Sequence, residues 1–266
     1  MKQERQRLLT STEAADYLGT SPTSIKRWAD EGVLHCVKTA GKHRRFEIEE
    51  LDRFARQQKS QGEATIDLAG WLTDLLEGKP YRVQARLLDA RASTSSWRAV
   101  CRDLGAVITH LGEAWERGDI TVVQEHLASE RLARALARVA EQLPTAASAP
   151  RALLATLEGE EHTLGLSLVE VCLRELGWQV LWAGRRTPLA GLGEALDHQG
   201  VQLLAVSASL AASDPEALGR AAETLALICR PRDVELLLGG SGAWPERPPD
   251  GRVMRSLDDL AQLATS

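Results

Sequence analysis

Beyond residues 144–150, a stretch rich in Ala, Ser and Pro, the chain settles into an alternation that few folds can satisfy. Apolar runs at 152–157, 179–183, 203–207 and 234–238 are separated by helical patterns at 164–176, 188–198 and 215–229. A short strand near Val253 and a helix from Leu257 complete the series. Each strand is followed by a connection long enough for a crossover helix, so the strands should run parallel with helices over both faces. The predicted fold for 150–266 is a doubly wound sheet, flavodoxin-like or Rossmann-like, whose ligands lie beyond the carboxyl ends of the strands.

Upstream, residues 64–142 show helical rather than strand periodicity. Leu68, Leu72, Leu75 and Leu76 share one face, and Gly78-Lys79-Pro80 ends it. After a break at 93–96, Trp97, Val100, Leu104, Val107, Ile108 and Leu111 form a long stripe reaching toward Trp115. Gly118-Asp119 turns the chain, with Asp119 as N-cap of a last helix at 122–143. Short loops between four helices predict an up-and-down bundle over 61–145.

The first sixty residues carry 12 Lys+Arg against 9 Asp+Glu, a net +3, while the remainder carries −8. A locally basic head on an acidic body suits phosphate binding through one end. Ser11-Thr12-Glu13 opens a helix bearing Ala14, Ala15 and Leu18 on one face, and Gly19-Thr20 breaks it. Ser21-Pro22 starts another. There Ile25 and Trp28 turn inward, and Thr23, Ser24, Lys26 and Arg27 are left outward as a recognition helix would present them to a major groove. Residues 34–46 read as a hairpin with Lys42, His43, Arg44 and Arg45 at its tip, a wing able to grip phosphates.

No apolar run is long enough to span a bilayer, and the charged start Met1-Lys2-Gln3-Glu4-Arg5 predicts no secretory leader, hence a cytoplasmic protein. Cys36, Cys101, Cys172 and Cys229 are widely spaced, which suits reduced thiols better than a zinc knuckle or a disulfide framework.

Two short motifs bear on chemistry. Trp115 is followed after nine residues by Glu125-His126. Alone, this spacing suits a core indole and a solvated polar pair equally well. The second motif is Glu160-x-His162-x-x-Gly165, in the loop after the first strand. Glu160 is close enough to accept a ring N–H from His162 and fix its tautomer, as carboxylate–imidazole–metal relays require. Gly165 and the pair Gly239-Gly240 leave room where a bulky group could pass.

The head, from Ser11-Thr12-Glu13-Ala14-Ala15 through Ser24-Ile25-x-Arg27-Trp28 to Gly41-Lys42-His43-Arg44-Arg45-Phe46, resembles the MerR superfamily in its short, excisionase-like form. Residues 150–266 resemble the cobalamin-binding domain of methionine synthase and methylmalonyl-CoA mutase, with Glu160 where Asp is usual and Ser207 near the position of a tail-pocket serine. The whole order resembles the CarH/LitR family of cobalamin-dependent photoreceptor repressors. That resemblance implies three domains: a winged helix-turn-helix at 1–60, a four-helix cap at 61–145 and a cobalamin domain at 150–266. It implies adenosylcobalamin bound in the dark, with His162 below cobalt and Trp115, Glu125 and His126 about the adenosyl group. It further implies a homo-oligomer, a tetramer in the dark, that occupies double-stranded operator DNA and is released when light breaks the cobalt–carbon bond. Glu116 stands where the family has a histidine that captures cobalt after illumination, so no second imidazole is expected from that position. The protein so read is a regulator and not an enzyme. Its rivals are a cobalamin sensor indifferent to light and a corrinoid methyl carrier.

Overall fold

The computed structural model describes residues 8–18, 25, 26, 29, 34–38, 44–48, 50–52, 54, 66–94, 96–209 and 212–265. By contacts the chain divides into two compact units, 1–66 and 67–266.

In the first unit, β1 (Leu8–Leu9) and β2 (Val37–Lys38) pair antiparallel with either side of β3 (Arg44–Glu47). Helix α1 (Ser11–Leu18) begins at a reciprocal cap: Glu13 N–H donates to the Thr10 hydroxyl at 3.2 Å, and Thr10 N–H to the Glu13 carboxylate at 2.8 Å. The helix thus begins at Ser11, as expected, with Thr10 as its capping residue. Ala14, Ala15 and Ile25 are buried with Leu9, Leu34, Phe46, Leu51 and Phe54, a core that joins α1, the strands and the helical residues near 51. The strand at Leu8–Leu9 has no sequence signature, being two residues long. It exists because β3 offers it an open edge.

In the second unit, among the described residues, helices α2 (Leu68–Leu76), α3 (Pro80–Ser93), α4 (Trp97–Glu116) and α5 (Val122–Gln142) pack mutually as a bundle. Arg86 joins α3 to α2, with Nε donating to Asp74 at 2.7 Å and its guanidinium over the Trp71 ring. The α4–α5 turn differs from expectation. Thr121, not Asp119, is the N-cap, in a capping box with Gln124, and Asp119 instead accepts from Arg117 Nε at 2.9 Å. Gly118 turns the corner at φ +76°.

The remainder is the parallel α/β layer. Strands β4 (Arg151–Thr156), β5 (Gln179–Gly184), β6 (Leu203–Ser207), β7 (Glu235–Gly239) and β8 (Arg252–Val253) run in the order β5-β4-β6-β7-β8, every neighbouring pair parallel. This is the flavodoxin-like arrangement, with a switch point between β4 and β6. Helices α6 (Leu164–Glu175), α7 (Leu192–Gln199) and α8 (Pro215–Cys229) supply the crossovers. The final segment, Leu257–Thr265, is the predicted helix, in 3-10 form.

Helix α6 is the hinge between layers. All of Leu166 through Leu173 is buried, because α6 has the sheet on one side and α4 and α5 on the other. Glu175 at its last turn accepts the two leading amides of α4, Trp97 N–H at 2.7 Å and Arg98 N–H at 3.1 Å. A carboxylate there satisfies orphan donors and meets the positive end of the helix dipole. The Cys101 thiol lies within hydrogen-bonding reach of Cys172, and that neighbour together with burial pushes it up. Helix α4 therefore starts beside the end of α6 and runs antiparallel to it. Replacing Glu175 with Ala should lower stability by about 1–2 kcal/mol in urea unfolding, the usual cost of a lost cap; an unchanged midpoint would remove Glu175 from this role.

Candidate functional site

The loop that follows β4 is fixed before any ligand is considered. Thr156, almost fully buried at the strand end, donates its hydroxyl proton to the Glu160 carbonyl at 2.7 Å and accepts from Arg186 N–H at 2.9 Å. Arg186 N–H also reaches the Glu160 carbonyl at 3.1 Å. The loop thus hangs from two strand ends.

Glu160 is buried, at 5% exposure, with an oxygen on each of two jobs. Oε1 accepts the His162 backbone N–H at 2.8 Å and faces His162 Nδ1 at 2.6 Å, while Oε2 accepts the Ser209 N–H at 2.7 Å. Burial by itself would raise this carboxyl; the hydrogen bonds from the His162 and Ser209 amides and side chains outweigh it and hold the pKa at about 2. Glu160 is therefore an anion that can only accept, so Nδ1 of His162 must carry the proton. In the neutral ring the lone pair then sits on Nε2. The imidazole is 70% exposed, and no hydrogen bond occupies Nε2 among the described residues. The result is an imidazole held in one orientation with Nε2 turned outward, which is what a single metal ligand needs.

A cleft of about 510 Å³ opens beside this loop, between α4, α6 and the carboxyl ends of β6 and β7. Gly165, Ser207, Gly239 and Gly240 all line it, as do Cys101, Gly105 and Ile108 of α4. A Cβ added at Gly105, Gly112 or Gly165 would meet nothing within 4 Å. Gly240 is different. At φ +85°, its added Cβ would lie 2.2 Å from the Ala208 carbonyl oxygen. Its glycine is demanded by the protein's own backbone, not by space for a passing group, which corrects the reason expected for it.

Helix α4 continues past the cleft. Residues 101, 105, 108, 112 and 115 recur on one face, so Trp115 extends the stripe that lines the cleft. With Trp97 level with Glu175, a rise of 1.5 Å per residue brings α4 level with Leu164 near Ile108 and carries Trp115 about 10 Å beyond it. Ile108 and Gly165 do share the cleft wall. Trp115 is 47% exposed, in company with the exposed Val122, Val123 and Leu127 across the turn. Glu125 is half-buried, accepts the Ser129 hydroxyl proton at 2.6 Å and stands 3.7 Å from His126 Nε2. Trp115, Glu125 and His126 thus flank the 117–121 turn, and no hydrogen bond joins them to the His162 loop among the described residues.

Sequence reasoning missed Thr156 and the part Ser209 plays. A threonine ending a buried strand was an available signal for the first. Ser209 lies 49 residues from Glu160 and becomes its partner only through the β4–β6 pairing.

Of the DNA-contact candidates, Lys26 is exposed in a helical segment. Arg44 and Arg45 lie within β3, opposite Lys38 and Val37, and are half-buried. They belong to the strand rather than to the tip of the wing, because the ladder extends through them. Thr23, Ser24, Arg27, Lys42 and His43 lie outside the described residues, as does Trp28.

Comparison with known proteins agrees with both units. A helix-turn-helix domain family matches residues 8–59, and a B12 binding domain family matches residues 68–140. The chain is 28% identical over 226 residues to the HTH-type transcriptional repressor CarH of Myxococcus xanthus, covering 82% of this chain and 73% of CarH. It is 34% identical over 158 residues to the repressor CarA of the same organism, covering 59% of this chain and 52% of CarA. The monomethylamine corrinoid protein of Methanosarcina barkeri superposes with a TM-score of 0.56 at 19% identity, over 74% of this chain and 94% of that one, which establishes a shared fold. No described helix is long and apolar enough to cross a membrane.

The low pKa of Glu160 has a directional consequence. Its stabilising contribution is complete above the ordinary carboxyl value of 4.5 and is lost as the pH falls toward about 2. The stability gap between the protein and Glu160→Gln, measured by denaturant unfolding, should be constant above pH ~5 and shrink below it. A gap independent of pH would contradict the assignment.

Proposed function

We propose that this chain, marked as a CarH-type regulator by its helix-turn-helix and B12-binding families and its kinship with CarH and CarA, is a cobalamin-gated DNA-binding protein whose ligand is adenosylcobalamin and whose signal is light. The observation that carries the reading is the His162–Glu160 pair: a carboxylate held ionised fixes the proton on Nδ1 and leaves Nε2 as an outward donor. The residues fit the cofactor. An apolar cleft edged by Gly165 and Gly239 lies beside that donor, and α4 overhangs it with an exposed indole.

In this reading residues 1–60 bind the operator, 61–145 cap the cofactor and 150–266 hold it. His162 would ligate cobalt from the sheet side, with Trp115, Glu125 and His126 around the upper group. When bound, the cofactor supplies an axial coordination site and a light-labile cobalt–carbon bond. What the chain supplies is differential contact. An upper group resting on Trp115 stabilises one placement of the cap, and its loss withdraws that stabilisation. If the favoured placement is the one that oligomerises, to a tetramer by the family's habit, heads of modest individual affinity gain avidity on double-stranded DNA and lose it together. The helix-turn-helix unit and the kinship with two repressors favour this reading over a methyl carrier, whose fold is shared by the second unit.

With adenosylcobalamin the purified protein should bind its promoter DNA in darkness and release it under green light, whereas methylcobalamin should support neither assembly nor tight binding. His162→Ala should bind cobalamin weakly and give a cobalt absorption spectrum without an imidazole ligand. An identical spectrum in wild type and His162→Ala would overturn the ligand assignment, and equal DNA binding in darkness and light would overturn the signal.

A further inference from the structure

Two thiols meet where the bundle joins the α/β layer. Cys101 lies one turn into α4 and Cys172 one turn before the end of α6, both reduced and both buried. The Glu175 contact sets their level. Cys101 is about 6 Å along α4 from Trp97, and Cys172 is about 4.5 Å back along α6 from Glu175, so the antiparallel helices bring the two side by side. The thiols are within hydrogen-bonding reach of each other. Helix axes packed about 8–10 Å apart, with Cα atoms at a radius of about 2.3 Å, leave facing Cα atoms about 5 Å apart, inside the roughly 4.4–6.8 Å that a disulfide spans.

The pair is also asymmetric in access. Cys101 forms part of the cleft wall, so a slight lift of α4 bares its sulfur to whatever enters the cleft, and Cys172 lies behind it. The other two cysteines are placed elsewhere: Cys229 in the core beneath α7 and α8, Cys36 against the core of the first unit. The neighbouring thiol and burial together hold Cys101 protonated, which makes it a slow nucleophile suited to sustained oxidation.

We infer that Cys101 and Cys172 are a redox-responsive pair whose disulfide staples the bundle to the α/β layer, and that an occupant of the cleft shields them, so that oxidation marks the cofactor-free protein. The shielding rests on the cofactor reading above; the pair itself does not. With hydrogen peroxide as oxidant, Cys101 Sγ takes one oxygen, giving a sulfenic acid and one water. Cys172 Sγ then attacks that sulfur, forming the S–S bond and releasing a second water. Both thiol protons end in the waters, and the two electrons lost by the sulfurs reduce the peroxide.

Full-length protein is treated with hydrogen peroxide in darkness, with and without adenosylcobalamin, then alkylated, digested with trypsin and analysed by mass spectrometry. Without cofactor, the Cys101 and Cys172 peptides should be found joined, two hydrogen atoms lighter than their sum, and separated by dithiothreitol. Closing a loop of about 70 residues should raise the urea midpoint of oxidised over reduced wild type by about 1 M, and Cys101→Ala and Cys172→Ala should each abolish that rise. With the cofactor at ten times its dissociation constant, about one molecule in ten is empty, so the link should form about tenfold more slowly. Absence of the joined peptides, or a midpoint indifferent to oxidation, would sink the pair. Equal rates with and without bound cofactor, binding being checked by visible absorbance, would sink the shielding. A link that forms in protein unable to bind adenosylcobalamin would overturn the cofactor reading and leave the pair standing.

Discussion

Two backbone amides at the start of α4 end on one carboxylate at the close of α6, and this contact organises everything above it. Glu175 belongs to the α/β layer, and the amides of Trp97 and Arg98 belong to the bundle. Because α4 also packs along α6, joining its start to the end of α6 makes the two run in opposite directions. It follows that the free end of α4 travels toward the loop containing His162, and that its stripe of small and apolar residues becomes a wall of the cleft. The burial of α6 on every side makes the junction costly to open, since separating the layers would expose Leu166 through Leu173.

The floor of the site is built on a different principle. Glu160 is buried yet ionised because four donor groups from His162 and Ser209 replace the water it has lost. The same arrangement imposes a tautomer on His162 and leaves one nitrogen outward. Rigidity comes from Thr156 and the 185–187 turn, which suspend the loop from two strand ends. A firm floor and an exposed roof are thus achieved with unrelated interactions, one electrostatic and one apolar.

Local period and short-range spacing carried much of this into the sequence. The parallel layer was visible because central strands read as unbroken apolar runs, and the stripe of α4 because a helix buried on one side repeats near 3.6 residues. Glu160 and His162 could be paired because two residues is the reach of a carboxylate. What could not be read depends on distance along the chain. The Glu175 contact spans 78 residues, and Ser209 reaches Glu160 only through strand pairing. Competition decided the rest: Arg117 takes the carboxylate of Asp119, leaving Thr121 to cap α5. For Gly240, the neighbour that excludes a side chain is a carbonyl from another strand, which no local pattern encodes.

A helix tethered at its first residues and half-exposed at Trp115 has the proportions of a lever. From Trp97 to Trp115 the arm is about 27 Å, so a tilt of only about 5° at the tether sweeps the indole through about 2.4 Å. Sub-ångström adjustments among the first amides are thereby magnified several-fold at the tip. Such gearing lets a well-packed interior stay nearly unchanged while the far end moves.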